Sequence, residues 1–255
     1  MTSHAGRFVW RELVTPDTGA AATFYNQAFG WAHTVAPMGE GLDYTMFSRP
    51  GVEAQIAGAM QPMMAGVPAH WVDYITVDDV DASREKVVAL GGTAITEVMD
   101  IPVGRFAIVK DPAGAVFALF TSATPGASDT DSPPDEHTFC WSQLMTDQLD
   151  RVVPFYAEVF GWQPAPMPGG MVVFNRGDKP VASAMSLPEG APAPAHWLQY
   201  VAVADATVAT DTAVAAGASV LQPVTEMPGM GIFSVMADPA GAVFAVWKDL
   251  GAANN

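Results

Sequence analysis

Positive charge is scarce in this chain. Lys and Arg total 11 against 27 Asp and Glu, a formal charge of −16. Phosphates would be repelled rather than neutralised, which argues against a nucleic-acid partner. An anionic membrane surface is disfavoured for the same reason. Cysteine is almost absent: Cys140 stands alone, so no intramolecular disulfide forms and a Cys-rich zinc site is excluded. Half of the residues are apolar, yet no uninterrupted apolar stretch reaches the roughly 18–20 residues of a membrane span. Met1-Thr2-Ser3-His4 lacks a basic stretch leading into an apolar core, so no signal peptide is expected and the reading is a soluble, cytoplasmic protein. A phosphate-cradling glycine loop, a serine nucleophile elbow and a Cys–His pair are missing too. The acidity has two readings, solubility or attraction of cationic ligands.

What the chain has is repetition. Phe24-Tyr25-x-x-x-Phe29-Gly30-Trp31 recurs as Phe155-Tyr156-x-x-x-Phe160-Gly161-Trp162. Pro68-Ala69-His70-Trp71 recurs as Pro194-Ala195-His196-Trp197, and the octapeptide from Asp111 to Ala118 recurs unchanged from Asp238 to Ala245. Three blocks in the same order make two homologous halves. Its 255 residues are enough for two domains that bury their own cores. The expected division is a first domain over 1–121, a Pro-, Ser- and Asp-rich linker over 122–138, and a second domain over 139–255.

Within the first half, Phe8–Val14 reads as a strand. A helix follows over Ala20–Phe29, with Asp17 as N-cap and Gly30 at its end. Strands are expected at 44–48, 52–60 and 71–77. A second helix starts at Asp78-Asp79-Val80-Asp81 and runs to Leu90. Further strands are expected at 94–98, 105–109 and 115–120, the last two joined by the Asp111-Pro112-Ala113-Gly114 turn. His33 reads as a loop residue. The second half copies this order from Phe139 to Trp247.

These residues together resemble the vicinal oxygen chelate superfamily: glyoxalase I, extradiol dioxygenases, and fosfomycin- and bleomycin-resistance proteins. The resemblance rests on the helix opening that ends in Phe-Tyr-x-x-x-Phe-Gly-Trp, the Val77-Asp78-Asp79-Val80-Asp81 helix entry, and the Asp-Pro-x-Gly hairpin before each half's last strand. A closer resemblance is to actinobacterial tandem glyoxalase-like proteins, some described as hydroxylases or secreted antigens. It implies an α+β fold of four βαβββ modules, paired into two glyoxalase/bleomycin-resistance-like domains with cupped sheets covered by helices.

The resemblance also implies where a divalent metal would be held. One ligand lies about seven residues before the helix-opening Asp, and a Glu lies on the last strand. Those positions hold Trp10 and Trp141, Val72 and Leu198, and Ala118 and Ala245. None offers a lone pair to a hard or borderline cation. A register shift of one residue brings in Arg11, Ser142, His70 or His196 but leaves the two alanines. No metal and no cofactor are therefore expected.

Strand alternation places Trp10 with Glu12, and His70 with Tyr74, on one expected cup. In the second half it places Trp141 with Gln143, and His196 with Tyr200. An apolar wall with a few placed polar groups is the make-up of a small-molecule site. Each residue has a second reading: core packing for the tryptophans, strand-start caps for the histidines, solvation at the cup mouth for Glu12. Trp71 and Trp197 alternate onto the helix side, and Tyr25 and Tyr156 are expected to pack against sheets. Met60, Met63, Met64, Met227 and Met230 read as ligand-adaptable or, more simply, as core filling. Arg105 is within reach of a ligand anion. The expected function is binding of an apolar or cationic small molecule without the usual metal. The alternative is an enzyme of the same superfamily, with His70, His196 or Glu12 as catalytic candidates.

Overall fold

A computed structural model describes residues 5–39, 42–52, 54–124, 134–188, 190 and 193–251. Met1–His4 and residues 125–133 of the expected linker lie outside them. The first module contains β1 (Phe8–Val14), α1 (Thr18–Phe29), β2 (Ala32–Gly39), β3 (Leu42–Ser48) and β4 (Gln55–Met60). The second contains β5 (His70–Thr76), α2 (Val80–Ala89), the short β6 (Thr93–Ala94) and β7 (Met99–Ile101), then β8 (Gly104–Lys110) and β9 (Val116–Ser122). The third follows with β10 (Phe139–Thr146), α3 (Leu149–Phe160), β11 (Gln163–Pro166), β12 (Val172–Arg176) and β13 (Lys179–Ser186). The fourth closes the chain with β14 (His196–Ala202), α4 (Ala206–Ala215), β15 (Ser219–Met227), β16 (Gly231–Ala237) and β17 (Val243–Asp249). The strands belong to two curled mixed sheets, one per half.

Each module follows one rule: its first strand lies parallel to its last. Glu12 is in register with Gly58, Tyr74 with Ala118, Gln143 with Ser183, and Tyr200 with Ala245. The helix between supplies the crossover that a parallel pair requires. Local chemistry sets the helix ends. The Asp17 carboxylate accepts the Ala20 N–H at 2.9 Å, and Asp79 accepts the Ala82 N–H at 3.0 Å. Gly30, at φ 69°, ends α1 in the left-handed conformation.

Several strand expectations need correction. His33 is in β2, not a loop. That strand is mostly exposed, so it shows no apolar alternation. Pairing with β3 defines it, and its Pro37 suits the end of a sheet. The strand expected from 52 begins at Gln55, and most of the one expected over 94–98 is not strand: β6 ends at Ala94 and β7 begins at Met99.

The chain divides into two compact units, and each takes one module from each half. One comprises Met1–Trp10, Val72–Asp131 and Ser142–Leu198. Its buried cluster joins Ile75, Val87, Phe117 and Leu119 to Leu144, Phe155, Tyr156 and Phe174. The other comprises Arg11–Trp71, Ser132–Trp141 and Gln199–Asn255. Its cluster joins Leu13, Phe24, Tyr25 and Phe47 to Val201, Met236 and Phe244. Of the methionines read as core filling, Met63 and Met64 lie outside these cores, 73% and 62% exposed.

Candidate functional site

The repeated motifs build scaffold. Tyr25 on α1 donates its hydroxyl hydrogen to Asp238 Oδ2 at 3.2 Å and accepts from Trp71 Nε1 at 3.0 Å. Tyr156 on α3 donates to Asp111 Oδ2 at 3.1 Å and accepts from Trp197 Nε1 at 3.0 Å. The second oxygen of each aspartate is spent on its own turn. Asp111 Oδ1 accepts from the backbone of Ala113, Gly114 and Ala115, and Asp238 Oδ1 from Ala240 and Ala242. Each repeated block therefore gives one member to a buried Tyr–Trp–Asp triad, and the aspartate comes from the other half of the chain. Burial, then the aspartate's charge, pushes both phenols well above their usual value. Desolvation raises both carboxyls as well, against the lowering effect of the backbone N–H donors. With both tyrosines completely buried, no ligand reaches these groups. Trp71 and Trp197 lie on the helix side, as the alternation required.

The opposite sheet faces carry the polar and aromatic groups of interest. Leu13, Phe47, Ala57 and Ala59 point into a buried cluster with α1, so Glu12, Tyr44 and Gly58 alternate onto the other side. Glu12 is 6% exposed, and its Oε2 accepts the Tyr44 hydroxyl at 2.8 Å. Tyr44 is half-buried. At the equivalent place in the third module, Gln143 Nε2 donates to Ser183 Oγ at 3.2 Å and meets Met171 Sδ at 3.8 Å.

Tyr74 and Tyr200 anchor two aromatic strips. The Tyr74 ring lies 5.6 Å from Phe106 and 6.3 Å from Phe120, centroid to centroid. Tyr200 lies 6.2 Å from Trp247, which stacks on Phe233 at 6.5 Å. Both tyrosines are buried, whereas Phe106, Phe120, Phe233 and Trp247 are half-buried and keep part of their faces open. Burial raises the Tyr200 phenol. Ala118 and Ala245, where the family places a metal-binding Glu, are the register partners of Tyr74 and Tyr200.

His70 and His196 each hold a ring Nδ1 2.8 Å from a backbone carbonyl, of Pro68 and Pro194. A carbonyl only accepts, so Nδ1 carries the proton and Nε2 the lone pair when the ring is neutral. Trp10 and Trp141 are half-buried and stand outside both buried clusters. Trp10, Tyr74, Gln143 and His196 belong to one compact unit; Glu12, His70, Trp141 and Tyr200 belong to the other. Arg105 does not wait for a ligand anion: Asp100 holds its Nε at 2.7 Å and Asp81 its Nη1 at 2.9 Å. Sequence reasoning missed Tyr44, Phe106, Phe120, Phe233 and Trp247. The signal available was strand glycine: Gly58 leaves the space into which an aromatic ring folds.

The family's divalent metal can be tested against these donors. Alanine methyls stand at both final-strand positions, and among the described residues no three His, Cys, Asp or Glu side chains come close enough to share an ion. The donor set does not fit that site.

Four βαβββ modules in two curled sheets define a protein of the vicinal oxygen chelate superfamily. The profile of the glyoxalase-like domain matches residues 10–120 and 139–247, and the chain belongs to that family. A Mycobacterium tuberculosis protein named as a glyoxylase, CFP32, is 37% identical over 248 residues, covering 94% of this chain and 93% of the relative. The anthracycline biosynthesis protein DnrV of Streptomyces peucetius is 32% identical over 257 residues, covering 94% and 92%. The Mn(II)-bound glyoxalase from Novosphingobium aromaticivorans superposes with a TM-score of 0.67 at 17% identity, over 97% of this chain and 83% of that one, and shares the fold. No helix among the described residues is long and apolar enough to cross a membrane.

Proposed function

We propose that this chain binds a small, planar, largely apolar organic molecule on the helix-free faces of its sheets, without the metal site of its superfamily. One observation carries this reading: beside Ala118 and Ala245, where a carboxylate would hold a metal, stand the half-open aromatic strips of Tyr74, Phe106 and Phe120 and of Tyr200, Phe233 and Trp247. Rings stack on rings, and such pairs add about 0.5–1.5 kcal/mol beyond the area they bury. Trp10, Gln143 and His196, in the unit of the Tyr74 strip, and Glu12, His70 and Trp141, in the unit of the Tyr200 strip, are the further ligand contacts. The name of the Streptomyces relative supports an aromatic ligand, and the charge of −16 supports a small molecule over a nucleic acid. Titration with anthraquinone, read by quenching of tryptophan fluorescence, tests the reading. Phe120→Ala and Trp247→Ala should each weaken binding roughly tenfold. Unchanged affinity in both folded variants would move the site off the strips.

An enzymatic reading rests on the two histidines. With Nδ1 pinned to a carbonyl, Nε2 of His70 or His196 is oriented as an acceptor and suits a general base. The name of the Mycobacterium relative points the same way. A base of this kind would exchange the acidic C–H of an α-hydroxyketone with solvent. Deuterium incorporation followed by NMR, and its loss in His70→Gln or His196→Gln, separates catalysis from binding.

A further inference from the structure

The free edge of a sheet is a row of unpaired backbone N–H and C=O groups. It recruits strands from other chains unless shortness, proline, charge or bulges blunt it. Among the described residues the two sheets end in β2, in β6 with β7, in β11 and in β15. Three of these edges are blunted. β6 and β7 have two and three residues, and β11 has four, of which two are Pro164 and Pro166. β15 is longer, but two register shifts break its pairing with β16, and it contains Pro223 and Glu226. β2 is different. It runs in unbroken register with β3 from Ala32 opposite Ser48 to Pro37 opposite Asp43, and its irregularity comes only after Pro37. Its eight residues include no Asp, Glu, Lys or Arg. Ala32, His33, Thr34 and Val35 are exposed in succession, so neither face of this stretch packs on a core. Val35 is 54% exposed and Met38 59%. The ladder to β3 is what holds this strand, and a second ladder on its free side would add the support that packing does not supply.

We propose that β2 is a docking strand for a second copy of this chain, pairing antiparallel with the partner's β2 about a two-fold axis. The open row selects the class of occupant, a strand with a free edge of its own. The other edges of this chain are blunted, so the strand a second copy offers is again β2. Such an isologous pair closes at two copies instead of growing into a filament. Charge selects the same occupant. Two copies at −16 repel each other, and they can meet only where no like charges are set face to face. β2 meets that condition. A basic partner would be held by carboxylates, and β2 offers it none. At about 3.4 Å per residue the strand is roughly 27 Å long, and one ladder of that length buries less than the standard interface of about 800 Å² per partner. The dimer should therefore form and separate with concentration.

Sedimentation of the full chain tests this. The mass should rise from one chain towards two as concentration increases, and the dimer should tighten as salt screens the repulsion between acidic copies. Val35→Glu sets like charges against each other near the two-fold axis and should weaken the dimer roughly tenfold. Val35→Lys should weaken it too, because it also faces its twin; against any other surface of so acidic a chain a lysine would strengthen the contact. Leu221→Glu is a comparably exposed replacement on the blunted β15, at 57%, and should leave the dimer within about twofold. A chain that stays single up to about 1 mM would overturn the pairing. So would a dimer unmoved by Val35→Glu, tightened by Val35→Lys, broken by Leu221→Glu or loosened by salt, and so would species larger than two chains. Should circular dichroism show Val35→Glu unfolded, Met38→Glu takes its place, with the same expected loss.

Discussion

The two halves agree in one place and differ in another. The buried Tyr–Trp–Asp triads match member for member, and their hydrogen bonds agree within 0.1 Å. On the opposite face, Glu12–Tyr44–Gly58 and Gln143–Met171–Ser183 share positions and nothing of their chemistry. The triads sit where no ligand reaches, and each fastens a helix of one half to the last hairpin of the other. Their sameness is what a structural task shared by both halves requires. The second set faces away from the helices, on the side the triads do not hold. In this chain repetition marks scaffold, and departure from repetition falls on the opposite face.

The largest effects should come from breaking a triad, and they should be equal in the two units. Asp238→Ala removes the acceptor of the Tyr25 hydroxyl and of two turn N–H groups. Leaving such donors buried and unpaired should cost about 3–5 kcal/mol in urea unfolding. Asp111→Ala should cost the same within about 1 kcal/mol, the scatter of single-site effects. A larger gap between the two would show that the triads are alike in geometry and not in energy.

Alkaline pH should strike both triads together. Each tyrosine is held neutral by burial and by its neighbouring carboxylate, so its folded value lies well above the 10.0 of an exposed phenol. The unfolded chain releases these protons first. The stabilising contribution is therefore complete below pH 10 and is lost as pH rises beyond it, by about 1.4 kcal/mol per pH unit for each group. By pH 11 the two triads together should lose about 3 kcal/mol. Absorbance at 295 nm should show Tyr25 and Tyr156 ionising only as the chain unfolds.

Much of this frame is legible in the residues. Asp17 and Asp79 cap their helices where a side-chain acceptor precedes an apolar run, and the Asp-Pro-Ala-Gly turns close before the last strands. Alternation put Trp71 and Trp197 on the helix side. The repeats told that Tyr25 and Asp238 matter; they did not tell that the two meet, because a contact across 213 residues leaves no mark in local pattern. Tyr44 was invisible for a related reason. Its reach to Glu12 depends on the β3–β4 register, which shifts at an irregularity between Phe47 and Ser48, and register is a property of two strands. Arg105 shows a further limit: a lone base before a strand looks available until the fold brings Asp81 and Asp100 to it.

The smallest effects should sharpen the contrast between the two polar sets. Gly58→Ala pushes a methyl against the Tyr44 hydroxyl and should cost about 1–3 kcal/mol, the range for overpacking, while parting Tyr44 from Glu12. Ser183→Ala, at the equivalent position, only deletes the hydroxyl that accepts from Gln143. Its cost should be about 0.5–1.5 kcal/mol, that of one neutral hydrogen bond. The amide keeps the Met171 sulfur as a weak partner, which favours the lower end. Urea unfolding of both variants checks the order. If Ser183→Ala proves as damaging as Gly58→Ala, the second set is as tightly built as the first, and its neutral chemistry is then a fixed feature of the second half and not a relaxed copy of the first.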